Sequence, residues 1–446
     1  MPRSALHPAG AGKIEEDEMS LLLKNAHVIC PVQHLDSAGY LVIKDGHISA
    51  VGAGSYSHEQ HCDEVIDLKG ACVSPGLVDM RVQSADPGAE HLETVDSLLA
   101  AAAASGITSL ISLPDTNPVI DNAAMIDSLL LRSSRTGGPR LHLYGALTKG
   151  QNGKEMAELG MMAEAGAVGF ASGAHSIQDS LMMRRILTYA TMFDKVVIHH
   201  CEDYQLSDKG EMNEGETATR LGLIGIPDAA ESIIVKRDIE LVRLTKARYH
   251  VAHISTAAAL DEVRRAKAEG LPVTCDTAPA YALLNELAVN GFNTAFRLNP
   301  PLRSEGDRLA ILRGLADGTI DALASDHLPV SQDDKAQPFG FAACGASGIE
   351  TLFPMLLSLV ENETLSLSRA IELASTAPAR ITGISGGSLE TGLPADIICF
   401  HPKVAHRIES QTFLSRSRIS PFNHHPAFGK LLYNFVGGEM VWRHDG

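Results

Sequence analysis

The chain has 446 residues, with 37 Lys plus Arg against 54 Asp plus Glu, a net charge of −17 with His neutral. A composition that is 45% apolar is globular and excludes a disordered or collagen-like chain. The acidic balance argues against nucleic acid or an anionic membrane as partner.

In chain order, residues 1–19 are polar and Glu-rich with no apolar secretory core, and read as a mobile arm. Residues 20–74 carry short strand patterns, LLLKNAHVIC, LVIKDGHISAVG and EVIDLKGACVS, separated by Gly-containing turns. Residues 388–446 return to the same pattern in ADIICF and KLLYNFVGGEMVW. The two ends are therefore expected to meet in one small β-sandwich domain. Between them, 75–387 alternates strand-like runs with Ala-, Leu- and charge-rich helical runs. GLVDMRV, ITSLISL, LHLYGAL, AVGF, VVIHHC, YHVAHI, LPVTCD and IDALASD are eight such strands, and they predict a parallel (β/α)8 TIM barrel. The apolar stretch 97–114, SLLAAAAASGITSLISLP, is about long enough for a membrane span. Ser105 and Gly106 divide it into a helix-like half and a β-branched half, so it reads as a buried helix followed by a buried strand.

In such a barrel the chemistry sits beyond the C-terminal ends of the strands. Here those ends carry Arg81–Gln83, Asp115, Ser172, His200, His253, Asp276 and Asp326. Two imidazoles and a carboxylate, His200, His253 and Asp326, come from three strand ends and suit a divalent zinc. Each is equally at home as a hydrogen-bonded polar residue in a packed barrel mouth. His199 and His250 read as supports of neighbouring strands. The seven Cys are scattered with no CxxC pair, as expected of single buried thiols in a reducing cytoplasm.

Several segments carry a family resemblance: SPGLVDM, DPGAEHLETV and GITSLISLPDTNPVIDN within 74–122, TKG at 148–150, HCED at 200–203, HISTAAAL at 253–260, and NPPLRSEGDRLAILRGLADGTIDALASDH at 299–327. From about residue 20 to 446 the chain resembles dihydroorotase in the amidohydrolase superfamily. The resemblance implies a zinc barrel that interconverts dihydroorotate and N-carbamoyl-aspartate. It implies His200 and His253 as metal ligands, Asp326 as ligand and catalytic general base and acid, and Asn299 as a substrate-binding pocket residue.

The pattern also breaks. The family's first strand ends in His-x-His, and here those positions are Arg81 and Gln83. A guanidinium has no lone pair to give a metal. The bridging ligand falls in Ala171–Ser172–Gly173, which has no carboxylate and no Lys. An Arg that grips the substrate carboxylate is replaced by Ala85. An Asn with the same task is Asp115, whose like-charge repulsion at ~4 Å and effective ε ~20 is on the order of 4 kcal/mol. A further pocket His is Val330. Arg81 is accordingly expected to stand in for the zinc charge and to pair with Asp326.

Two functions follow as expectations. One is a non-catalytic dihydroorotase homologue without a cofactor, acting as structural partner of aspartate transcarbamoylase, cytoplasmic and homo-oligomeric as a dimer. The other is a cyclic-amide hydrolase that binds one zinc ion weakly at His200, His253 and Asp326 and takes an altered substrate.

Overall fold

The computed structural model describes residues 20–444; the arm expected over 1–19 lies outside them. Eight parallel strands follow one another around a barrel: Leu77–Val82, Ile107–Ser112, Arg140–Ala146, Gly169–Ala171, Val196–His199, Tyr249–Val251, Val273–Thr277 and Ala322–Leu323. Each overlaps one of the runs that the sequence marks, and the third, fourth and seventh reach one residue beyond it, at Arg140, Ala171 and Thr277. A parallel bridge between Val82 and His327 joins the last strand end to the first and closes the ring.

These strands are buried on both faces, which explains their continuous apolar character. The outer face packs with the helices in a core that includes Leu77, Leu110, Leu143, Phe170, Val197, Val251 and Leu323. Met80, Ile111, Tyr144, Ile198 and Ala324 fill the inside of the barrel. The stretch 97–114 divides where the sequence expects, into helix Val95–Ala104 and strand Ile107–Ser112. The Thr94 side chain accepts from the Ser97 amide and caps that helix. Gly106 makes the turn at φ +75°, a conformation that L side chains rarely adopt. No helix among the described residues is long and apolar enough to cross a membrane.

The chain ends form one mixed eight-stranded sheet. Its order is Glu439–Arg443, Pro426–Val436, Ile397–Arg407, Cys72–Pro75, Ser20–Cys30, Leu35–Lys44 and His47–Ala53, with Glu64–Asp67 also on Ser20–Cys30. Strand Cys72–Pro75 lies between elements from the two ends: it runs parallel to Ser20–Cys30 and antiparallel to Ile397–Arg407. One side of the sheet buries Leu23, Val28, Leu41, Val73, Ile397 and Phe435 in a core of its own. From the other side Ile29, Cys72, Ile398 and Phe400 join the barrel's core. The sheet is thereby fixed to the barrel and carries the return segment, Glu409–Pro421, that crosses the barrel mouth.

Candidate functional site at the barrel mouth

The strand ends bring Arg81, His200, His253 and Asp326 together, as the sequence expects, but as one hydrogen-bonded chain. Arg81 is only 4% exposed. Its Nε donates to Asp326 Oδ1 at 2.8 Å, and Nη2 donates to the Gly173 carbonyl at 3.4 Å. Asp326 Oδ2 lies 3.1 Å from His253 Nδ1. His253 Nε2 lies 2.8 Å from His200 Nδ1, and His200 Nε2 lies 2.9 Å from Glu202 Oε2. Asn299 Nδ2 closes the far end on the same Glu202 oxygen at 3.2 Å. A guanidinium and two imidazoles thus share two carboxylates, one at Asp326 between Arg81 and His253 and one at Glu202 beyond His200, and each of these buried groups has a partner, as burial demands.

The titration behaviour follows from this arrangement. Burial pushes the Asp326 carboxyl up, but His253 and the Arg81 guanidinium outweigh it and hold the group far below the usual carboxylate range. Glu202, pushed up by burial and pulled down more strongly by His200 and Asn299, is lowered to about 2. Burial, then the charge of Arg81, lowers His253 despite Asp326. Arg81 is raised because Asp326, Asp276 and Asp115 together outweigh its burial.

The remaining departures from the family pattern sit around this chain. Gln83 Nε2 donates to the Asp115 carbonyl at 2.8 Å. Asp115 Oδ1 accepts from the Ala174 amide at 2.9 Å and from Gln151 Nε2 at 3.1 Å. Its other oxygen, Oδ2, is buried with no hydrogen-bond partner among the described residues and lies against Gly173, where a Cβ would come within 1.9 Å of it. Ser172 Oγ accepts from the His200 amide at 2.9 Å, so it orients the strand end. Ala85 is buried at φ +55°. The buried Val330 has both backbone groups engaged by Ser417 Oγ.

Ser417 belongs to the return segment, which is pinned over the mouth. The Ser347 amide donates to the Ile419 carbonyl at 2.7 Å. Ser415 Oγ donates to the buried Glu93, and the amides of Leu414 and Ser415 donate to Glu350 at 2.7 and 3.2 Å. Pro421 of this segment and the adjoining Phe422 line a cavity of about 30 Å³ beside Asp326. That is room for about two waters, far below the roughly 300–1,000 Å³ of ligand pockets.

The residues do not fit a metal. All four ring nitrogens of His200 and His253 face a carboxylate or each other, and a permanent cation is paired with Asp326. Among the described residues, the three donor side chains whose ligand atoms lie within 4.8 Å of one another are His199, Cys201 and Asp238. That group is close enough for one ion, but its donors are engaged. The Ile177 amide donates to His199 Nε2 at 2.8 Å, which leaves Nδ1–H to donate to Asp238 Oδ2 at 2.7 Å. Tyr249 OH donates to the same oxygen at 2.7 Å, and Arg237 Nε donates to Oδ1 at 2.9 Å. His250 Nδ1 meets Thr274 Oγ1 at 2.8 Å, so both supporting histidines bridge neighbouring elements.

Sequence reasoning gave no role to Glu202, Gln151, Glu93 or Asp238. Glu202 carried a usable signal: residues i and i+2 of an extended chain share a face, so Glu202 follows His200 into the mouth.

A barrel of eight parallel strands, with its polar residues gathered at the strand C-termini and a sheet built from both chain ends, defines an amidohydrolase-type architecture. The fold agrees with solved structures: L-hydantoinase (dihydropyrimidinase) from Arthrobacter aurescens superposes with a TM-score of 0.84 over 95% of this chain and 96% of that one, at 24% identity. The dihydropyrimidinase of Brevibacillus agri gives 0.82 over 95% of each, at 21% identity. The family described as Dihydro-orotase-like matches residues 70–259. A dihydroorotase from Syntrophotalea carbinolica is 41% identical over 425 residues, 95% of this chain and 99% of the relative. One from Desulforapulum autotrophicum is 40% identical over 427 residues, 96% and 100% of the two. The chain belongs to the dihydroorotase family.

Proposed function

We infer that this chain serves pyrimidine biosynthesis as a non-catalytic member of the dihydroorotase family, a structural partner of aspartate transcarbamoylase. The observation that carries the reading is the buried Arg81–Asp326 pair. The carboxylate that must shuttle a proton in the family's reaction is held by a guanidinium and His253 far below the range in which it exchanges protons near neutrality. The small cavity beside it and the pinned return segment support the same reading. The sequence aligns with the relatives along nearly its whole length, which fits a chain that keeps their scaffold.

Two measurements test this. Purified protein should not turn over dihydroorotate or N-carbamoyl-aspartate, and the chain should co-purify with aspartate transcarbamoylase from its own cells. A turnover abolished by Asp326→Ala would overturn the reading.

One observation favours a working hydrolase with a remodelled site. His253 and Asp326 both hold positive φ, 35° and 52°, and backbone strain of this kind gathers at active sites. On that reading one zinc ion, bound after rearrangement, serves an altered cyclic-amide substrate, and the same Asp326→Ala comparison decides between the two.

A further inference from the structure

The mouth contains a recognisable donor set and a cation that no metal-binding function requires. Arg81 comes from the first strand end, is almost fully buried, and spends its Nε on Asp326 Oδ1. Asp326, Asp276 and Asp115 all lie close enough to favour its charge. A buried guanidinium bonded to Asp326, with Asp276 and Asp115 also favouring its charge, makes a cation site whose occupant is already attached to the chain. The lone pairs that a metal needs are consumed next to it, His200 Nδ1 against His253 Nε2 and His253 Nδ1 against Asp326 Oδ2.

We propose that Arg81 is a tethered cation that excludes divalent metal from the barrel mouth, and that removing its charge uncovers a zinc site at His200, His253 and Asp326. The inference deepens the non-catalytic reading and rests on it. It assigns the loss of metal to one added charge and not only to missing ligands. The physical reason is that a dication entering this pocket meets a guanidinium a few ångströms away in a low-dielectric site, while Asp326 is withheld by the ion pair. With a neutral residue at 81, Asp326 loses its guanidinium partner and the His200–His253 contact can open around an ion.

The experiment is zinc titration of the full-length chain against a chromophoric chelator, with thermal melting of the same samples. Wild type, Arg81→Gln, Arg81→His and Arg81→Gln/His253→Ala are compared. The expected result is an affinity at least about 100-fold tighter in Arg81→Gln and Arg81→His than in wild type. Zinc should raise the melting temperature of those two variants only, and His253→Ala should remove both effects.

Stoichiometric zinc in wild-type protein that His253→Ala abolishes would overturn the proposal. So would a folded Arg81→Gln and Arg81→His that take up no more zinc than wild type. If neither variant folds without metal, zinc during refolding should restore them, and failure to do so also overturns it. Because no substrate enters the assay, a negative result here leaves the turnover and co-purification tests of the non-catalytic reading standing.

Discussion

His199 and His200 are consecutive, both essentially unexposed, and leave the same strand end in opposite directions. His199 points outward, where the Ile177 amide, Asp238, Tyr249 and Arg237 complete a network behind the barrel wall. His200 points into the mouth, where Glu202, His253, Asp326 and Arg81 complete another. The first is a structural support that any barrel of this kind can use. The second occupies the barrel mouth and yet is built by the same rule, its linked charges paired from within the chain. The lesson is that this mouth has been packed as an interior.

The comparison can be broken most forcefully on the outward side. Asp238 is fully buried, and its two oxygens serve three side chains. Asp238→Ala leaves Arg237 and His199 without their anion, and should cost about 3–5 kcal/mol in denaturant unfolding. On the mouth side Arg81→Ala leaves Asp326 with His253 as its remaining partner, and that carboxylate is 20% exposed, so water can partly compensate. A loss of about 3 kcal/mol is expected, and adding Asp326→Ala should restore part of it. If Arg81→Ala leaves the melting curve unchanged, the mouth is not packed like the outward network and the parallel fails.

The two networks also differ in how far the sequence reveals them. The barrel was legible because strands buried on both faces must be continuously apolar, and LHLYGAL or VVIHHC cannot be amphipathic helices. The Arg81–Asp326 pair was legible because a cation in a ligand position needs an anion, and the opposite strand end supplies one. Asp238 was not legible, since it lies mid-helix within Ala229–Thr245, 39 residues from the histidine it meets. Nor was the contact of Gln151 with Asp115 and the Ser172 carbonyl, because loops between strands carry no periodicity that fixes their direction. The return segment's hold on Glu93 joins residues 322 positions apart, a separation that no local pattern encodes.

That segment gives a pH test of how tightly the mouth is shut. Burial pushes Glu350 up to about 7, although the amides of Leu414 and Ser415 pull it down. Its folded value lies above the unfolded value of 4.5, so the folded state holds the extra proton between the two. Stability should be highest below about pH 4.5 for this group, fall as pH rises to about 7, and then level off. At most about 3 kcal/mol is involved. Glu350→Gln should flatten that slope in melting curves, whereas an unchanged slope would mean that the segment is held without Glu350.

The smallest effect is expected at Asp115, and it isolates a place where the mouth is less well finished than the Asp238 carboxylate. Every oxygen of Asp238 has a donor, but Asp115 has donors on Oδ1 alone, and its buried Oδ2 lies bare against Gly173. Asp115→Asn keeps the oxygen that receives the Ala174 amide and Gln151, and removes a charge that favours the Arg81 guanidinium. Lost attraction and relieved desolvation oppose each other, so unfolding free energy should move by less than about 1 kcal/mol. A loss of several kcal/mol would mean that Asp115 is an equal partner of Asp326 in holding Arg81. The cation would then be gripped from both sides of the barrel, and the mouth would be as tightly satisfied as the network around Asp238.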